Sequence, residues 1–231
     1  MTGNPYEPPR WRAALFDLDG TLIDTRPGMR AALEAAFVEV VGTDLGSDRA
    51  DLSLPLDEMI LSADPDVPSP LRQQLSEAYR RHYDSGCWKA ADVYPGAEEC
   101  LRDISAAGVR VFVVTNKRAG AAGRLLEHFR LARYFEEVVG QLETGQPRPK
   151  SELARHCMET AGLDPATTVV VGDSNHDATM AALWNMDFIA ITSGAGPLGP
   201  AQADARRVAV GHLSDAAALM LLRPQGGRRE P

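Results

Sequence analysis

Cysteine is scarce in this chain: three residues, Cys87, Cys100 and Cys157, widely scattered and forming no CxxC pair. An odd count without a secretion signal argues against a disulfide framework, and the missing His/Cys cluster argues against zinc. The plain reading is reduced thiols, buried or half-buried, in a cytoplasmic protein. Long apolar runs are lacking as well. Val111–Val114 and Val169–Val171 are among the longest, far short of the roughly 20 residues that span a bilayer. Met1–Arg12 is polar and Pro-rich with no apolar signal segment, so neither membrane insertion nor secretion is expected. Positive charge is in deficit too, 24 Lys plus Arg against 32 Asp plus Glu, for a formal net charge of -8. Such a chain has no general pull toward nucleic acid or anionic membrane, so any anion it binds must meet a local positive site. Gly-Lys-Ser/Thr occurs nowhere, which excludes a nucleotide-binding P-loop.

What is present is ordinary globular composition and a clear alternation. Hydrophobic residues make up 44% of 231 residues, enough for a sizeable core, and no internal repeat is visible. Short apolar runs at Ala13–Phe16, Val109–Thr115, Glu137–Val139, Thr168–Gly172 and Phe188–Thr192 read as strands, with Val208–Val210 a minor edge strand. Helical patterns lie between them at Ala97–Ala107, Ala119–Phe129, Ser151–Ala161 and Asp177–Trp184. Strands alternating with helices predict βαβ units and a parallel sheet, an α/β fold. One stretch breaks the alternation. From about Pro27 to Ala91 there is only helical periodicity: Met29, Leu33, Ala36, Phe37 and Val40, then Leu56–Leu61 and Leu71–Tyr83 around a Pro-rich turn at Asp64–Pro70. It reads as a helical insertion leaving the core after the first strand and returning near Val93. The tail Arg223–Pro231 reads as a frayed end.

In open parallel sheets, ligands bind beyond the carboxyl ends of the strands. Four polar clusters fall at such ends: Asp17-Leu18-Asp19, Thr115-Asn116-Lys117, Lys150, and Gly172 to Asp177. Two carboxylates two residues apart on extended backbone point the same way, and their mutual repulsion should push their pKa values apart. That supplies an ionised nucleophile and a proton donor, the two groups phosphoryl transfer from an ester needs. Asp173 and Asp177 add hard oxygen ligands of the kind Mg²⁺ prefers. Asp177 also suits a helix N-terminus, where the dipole favours a carboxylate. Thr115 and Lys150 are the donor and cation the acidic composition demands for stabilising a transferring phosphoryl group. Taken singly, each residue has a bland reading; it is their joint placement that points to a site. An EF-hand loop at Asp17–Gly28 fails on arithmetic, because its glycine falls at position four and position twelve is Gly28.

Phe16-Asp17-Leu18-Asp19-Gly20-Thr21-Leu22, Val114-Thr115-Asn116-Lys117, Lys150 and Val171-Gly172-Asp173-Ser174-Asn175-His176-Asp177 together resemble the four motifs of the haloacid dehalogenase (HAD) superfamily. The likeness is to its phosphoglycolate-phosphatase-like branch and runs from about Arg12 to Leu219. It implies a Rossmann-like, doubly wound parallel core at residues 1–25 and 92–231. Residues 26–91 would be an inserted helical cap of the C1 type, hinged at Arg26-Pro27 and Cys87–Val93. It implies Asp17 as nucleophile, Asp19 as general acid/base, and Thr115, Asn116 and Lys150 as holders of the phosphoryl group. Mg²⁺ would be bound by Asp17, Asp173 and the backbone carbonyl of Asp19, with Asp177 in support. The expected activity is hydrolysis of a small-molecule phosphate ester through an aspartyl-phosphate. Asp19 favours phosphatase over dehalogenase, because dehalogenating members lack that second aspartate.

Three departures from the family pattern stand out. Arg49 to Pro55 lacks the glycine of the corresponding cap segment; Arg49 is a candidate for a substrate carboxylate, against the plainer reading of a solvated side chain. Pro149-Lys150-Ser151 stands where many relatives show Lys-Pro, which leaves Arg148 as competitor for the third-motif role. Trp184-Asn185-Met186 replaces the usual Ala-Gly-Met. Two other functions share the chemistry: a phosphosugar mutase, and a phospho-accepting signalling domain that does not turn over. The substrate and the oligomeric state are not legible.

Overall fold

The computed structural model describes residues 9–43, 46–193 and 207–222. Most of the Pro-rich start and the whole of Arg223–Pro231 lie outside these. In chain order the strands are β1 (Ala13–Phe16), β2 (Ile23–Asp24), β3 (Asp92–Val93), β4 (Arg110–Arg118), β5 (Glu137–Gln141), β6 (Thr168–Gly172), β7 (Asp187–Ile191) and β8 (Arg207–Val210). The helices are α1 (Arg26–Val41), α2 (Leu56–Ala63), α3 (Ser69–Ser85), α4 (Ala97–Ala106), α5 (Ala119–His128), α6 (Lys150–Ala161), α7 (Asn175–Leu183) and α8 (Leu213–Leu221).

Six strands form one sheet in the order β5-β4-β1-β6-β7-β8, every neighbouring pair parallel. The chain starts in the middle, winds outward one way, then returns and winds the other way. That is the doubly wound order of a Rossmann-type fold, and it places the reversal of direction at β1. The central strands carry unbroken apolar runs, Ala13–Phe16, Val111–Val114 and Val169–Val171, because both of their faces are covered there. Ala14 and Phe16 of β1, Val111 and Val113 of β4, and Val169 and Val171 of β6 pack into one core with α4, α5 and α8 residues. Ala13, Leu15, Phe112, Val114 and Val170 point the other way, into a second core with α6 and α7. Each fully buried apolar side chain contributes about 1.5–3 kcal/mol. A shift of β1 by one residue would therefore exchange the two cores at once, which fixes its register and hence the place where Asp17 emerges.

Between β2 and β3 lie α1, α2 and α3, which share a third apolar cluster of their own. Pro27 sits in the first turn of α1, where its missing N–H costs nothing. Met29, Ala32, Leu33, Ala36 and Phe37 then form the inward stripe. The 64–68 turn separates α2 from α3, as the prolines require. Two features have no counterpart in the sequence reading. β2 and β3 pair antiparallel, Ile23 with Val93 and Asp24 with Asp92, so the start and end of the helical insertion run side by side. Helix α8, closed at its start by the carboxylate of Asp215 on the His212 N–H, covers the α4 face.

Candidate active site

Three central strands, β4, β1 and β6, deliver polar residues to the same edge of the sheet. Asp17 follows β1 directly, its N–H still bonded to the Val171 carbonyl at 2.9 Å. Asp173 follows β6. Strand β4 extends through Arg118 and does not stop at Thr115 as the sequence suggested, but its pairing with β5 is irregular between Val114 and Arg118. Such irregularities re-aim side chains at strand ends. Thr115 to Lys117 lie in that stretch.

The carboxylates of Asp17, Asp173 and Asp177 converge, one oxygen of each lying within 4.8 Å of the others, and all three residues are buried. Lys150 joins them: its Nζ lies 2.6 Å from Asp17 Oδ1 and 2.6 Å from Asp177 Oδ1. Residues 133 and 160 positions apart in sequence thus meet as the motifs implied. Burial pushes the Asp17 carboxyl well above its usual range; Lys150 opposes this, while Asp177, Asp173 and Asp19 reinforce it. Burial pulls the Lys150 ammonium down, yet Asp17 and Asp177 more than offset that and hold it above its ordinary value.

Asp177 serves two neighbours. As third residue of α7, its Oδ2 accepts from the Ser174 N–H at 3.1 Å and the Ser174 hydroxyl at 2.6 Å, a capping box that closes the helix start. Its other oxygen holds Lys150. Asp173 accepts a bond from the Thr21 hydroxyl, Oγ1 to Oδ1, at 2.9 Å. Two glycines make room for these carboxylates. A Cβ on Gly20, whose φ is +83°, would lie 2.3 Å from Asp173 Oδ2, and one on Gly172 would lie 2.3 Å from Asp177 Cγ. Gly172→Ala is therefore expected to displace Asp177, costing about 1–3 kcal/mol and most of the activity. Thermal melts and an activity assay check this; an unshifted melt would show that the carboxylate is not confined.

Thr115 is buried, and its Oγ1 accepts the Lys117 N–H at 3.1 Å, leaving its own O–H to donate elsewhere. Thr115 and Asn116 line a cleft of about 830 Å³ together with Asp17, Asp19, Lys150 and Asp173. Asp19 stands apart from the three-carboxylate cluster: its Oδ1 accepts from the Thr25 hydroxyl at 2.5 Å and pairs with Lys117 Nζ at 2.9 Å. Arg148 also lines the cleft, but its backbone is tied to the Gln141 side chain and it pairs with no carboxylate among the described residues. Lys150, and not Arg148, is the cation on Asp17.

Met29 of α1, Met59 of α2 and Tyr79 of α3 supply the opposite wall, with Leu52 and Leu54 from the segment before α2. Arg49 is exposed and does not line the cleft. Trp184 has a definite contact: its indole N–H donates to the Ser151 carbonyl at 3.0 Å, tying the end of α7 to the turn that carries Lys150. Asn185 takes the left-handed conformation, φ +55°, which Asn tolerates better than most side chains. The sequence assigns no role to Lys117, Thr25, Thr21 or Ser174, although Lys117, Thr21 and Ser174 stand inside the four motifs. Cys100 and Cys157 are buried, with their thiols pushed up to about 12 by that burial, and Cys87 is half-buried; none is disulfide-bonded.

No helix among the described residues is long and apolar enough to cross a membrane. Residues 14–191 match the family described as haloacid dehalogenase-like hydrolase. The phosphoglycolate phosphatase of Cereibacter sphaeroides is 31% identical over 188 residues, 78% of this chain and 84% of that one. The tyrosine-protein kinase PtkA of Mycobacterium tuberculosis is 28% identical over 195 residues, 84% of this chain and 65% of that one. In fold, a predicted phosphatase from Clostridium acetobutylicum gives a TM-score of 0.81 at 23% identity, over 90% of this chain and 97% of that one. With the doubly wound sheet, the converging aspartates and a family match spanning most of its length, the chain belongs to the haloacid dehalogenase-like hydrolases.

Proposed function

We propose that this protein is a Mg²⁺-dependent phosphatase that hydrolyses small phosphate monoesters through an aspartyl-phosphate on Asp17. One observation carries the reading: a buried carboxylate, Asp17, held by an ammonium among two further buried carboxylates at the switch point of the sheet. With all three ionised, as an attacking Asp17 requires, the carboxylates would exceed the one ammonium by two negative charges. Buried charge of that kind needs a counter-ion, and an all-oxygen donor set fits Mg²⁺. Asp17, Asp173 and the Asp19 carbonyl would hold the ion, with Asp177 keeping Lys150 in place. Bound there, Mg²⁺ supplies charge neutralisation for the nucleophile and the phosphoryl oxygens.

The remaining chemistry belongs to the side chains. An Asp17 oxygen attacks phosphorus and the ester P–O bond breaks. Asp19 gives its proton to the departing alkoxide. Asp19, now ionised, takes a proton from water as that water attacks the aspartyl-phosphate; inorganic phosphate leaves and Asp17 is restored. The Thr115 hydroxyl, Asn116 and Lys150 hold the phosphoryl oxygens, where preorganised donors matter most. Helices α1, α2 and α3 act as a cap domain at residues 26–91 that excludes water while the bond breaks. Relatives carry both a phosphatase and a kinase name, so names do not decide the activity. Asp19 beside the nucleophile does favour turnover over a persistent phospho-acceptor. The phosphoglycolate of the Cereibacter relative is the first ester to try, and the apolar wall at Leu52 and Leu54 argues for larger ones beside it.

A panel of phosphate monoesters, run with and without Mg²⁺, tests the reading. Sustained Mg²⁺-dependent phosphate release supports it. A single labelling event would mark a phospho-acceptor, and isomerisation of a sugar phosphate a mutase. Independently of activity, Mg²⁺ at about 100 times its dissociation constant should add about 2.7 kcal/mol. For a chain of this size that is roughly 5–10 °C in melting temperature. Asp173→Asn should remove nearly all of that increment; an unchanged Mg²⁺ titration would take Asp173 out of the metal site.

A further inference from the structure

We propose that Lys117 is a positioning residue, which fixes the carboxylate of Asp19, and that Tyr83 of α3 in turn fixes Lys117. The inference rests on the phosphatase reading, in which Asp19 moves the proton. Lys117 Nζ and the Thr25 hydroxyl meet the same oxygen of Asp19, Oδ1, at 2.9 and 2.5 Å. With one oxygen anchored twice, the carboxylate cannot rotate freely, and Oδ2 has no partner among the described residues. Asp19 itself lines the cleft beside Asp17. The arrangement leaves one oxygen for the proton and takes away the freedom of the other.

The Lys117 side chain is only 10% exposed, and its ammonium faces the Tyr83 ring at 4.8 Å from the centroid. Tyr79 stacks on Tyr83, centroids 5.8 Å apart with 15° between planes. Both tyrosines are buried and belong to α3, whereas Lys117 belongs to β4 and Asp19 to the loop after β1. A continuous column therefore runs from the cap helix to the proton-moving carboxylate. Beside it, Asp84 pairs with Arg118 at 2.6 Å and with Arg124. Those pairs are solvent-exposed, of the kind worth little. A cation over an aromatic ring away from water contributes more, so Tyr83 is the contact that sets where Lys117 sits. Where α3 packs against the core, the heading of Asp19 is settled with it.

The test uses the full chain with Mg²⁺ and a graded series of phosphate monoesters, from activated aryl esters to simple alkyl esters. Lys117→Met should lower kcat about 100-fold, the usual loss when a catalytic group is misplaced by about 1 Å. KM should change by less than about threefold. The loss should vary along the leaving-group series as it does for Asp19→Asn, and Lys117→Met should cost nothing further in an Asp19→Asn background. Lys117→Arg should restore about tenfold of it. Tyr83→Leu should lose about tenfold, and should not add to Lys117→Met. A raised KM with kcat retained would assign Lys117 to substrate binding and overturn the proposal. So would a loss that is uniform along the series and additive with Asp19→Asn. If Lys117→Met does not fold, Lys117→Arg and Tyr83→Leu still decide, because a drop in kcat that ignores the leaving group in both overturns the proposal. Failure of the phosphatase reading looks different: the unaltered protein would release no phosphate from any ester.

Discussion

Asp17→Asn is expected to cut steady-state phosphate release by about 10⁴-fold or more, with the melting temperature held within about 3 °C. An amide in that position has no oxyanion to offer phosphorus, and no neighbour can replace it. Asp173 is held by Thr21, and Asp177 is taken up on both oxygens by Ser174 and Lys150. The fold should survive because the carboxyl is unfavourable where it stands: burial, with Asp177 and Asp173 nearby, pushes it toward its protonated form. Lys150 loses one partner but keeps Asp177. Phosphate release and a melting curve on the same preparation check both halves. Activity within tenfold of the unaltered protein would remove Asp17 from the covalent step.

The second large effect separates Lys150 from Arg148. Lys150→Met keeps the length and the apolar stem but leaves Asp17 and Asp177 without their ammonium. Breaking a buried pair from one side costs about 3–5 kcal/mol. At this chain length that is of order 10 °C in melting temperature. Losing a preorganised donor to the phosphoryl group should lower kcat by a further factor of about 10²–10³. Mg²⁺ should recover part of the lost stability, because the cluster then carries three uncompensated carboxylates. Arg148→Ala removes a guanidinium with no carboxylate partner among the described residues and should cost less than about tenfold in kcat. The reverse ranking would make Arg148 the phosphoryl-holding cation.

How much of this was legible depends on how each element earns its place. β1 and β6 were read with the bounds they have, because strands buried on both faces appear as unbroken apolar runs that stop at Asp or Gly. β2 and β3 left no trace, since two residues carry no periodicity and pair only because the chain ends of the insertion meet. The four motifs named the aspartates, but no motif could choose between Lys150 and Arg148. Helix phase does. Lys150 opens α6 on the same stripe as Leu153, Ala154, Cys157 and Met158, so it faces the sheet, whereas Arg148 precedes Pro149 and lies outside the helix. That spacing was available in the sequence once the helix start was placed one residue earlier. Tyr83 was not available in the same way. It read as part of a helical stripe, and its contact with Lys117 depends on how α3 docks, which no local pattern encodes.

The short ladder of β2 and β3 has a consequence for how such a protein can change over generations. Sixty-seven residues, from 25 to 91, depart and return through neighbouring doorposts, joined by two facing pairs, Ile23 with Val93 and Asp24 with Asp92. Lengthening that segment away from Tyr83 and Asp84 pulls on neither β1 nor β4. The segment reaches the candidate reaction centre through Thr25 on Asp19 and through Tyr83 on Lys117, so a change elsewhere in it can leave that centre as inherited.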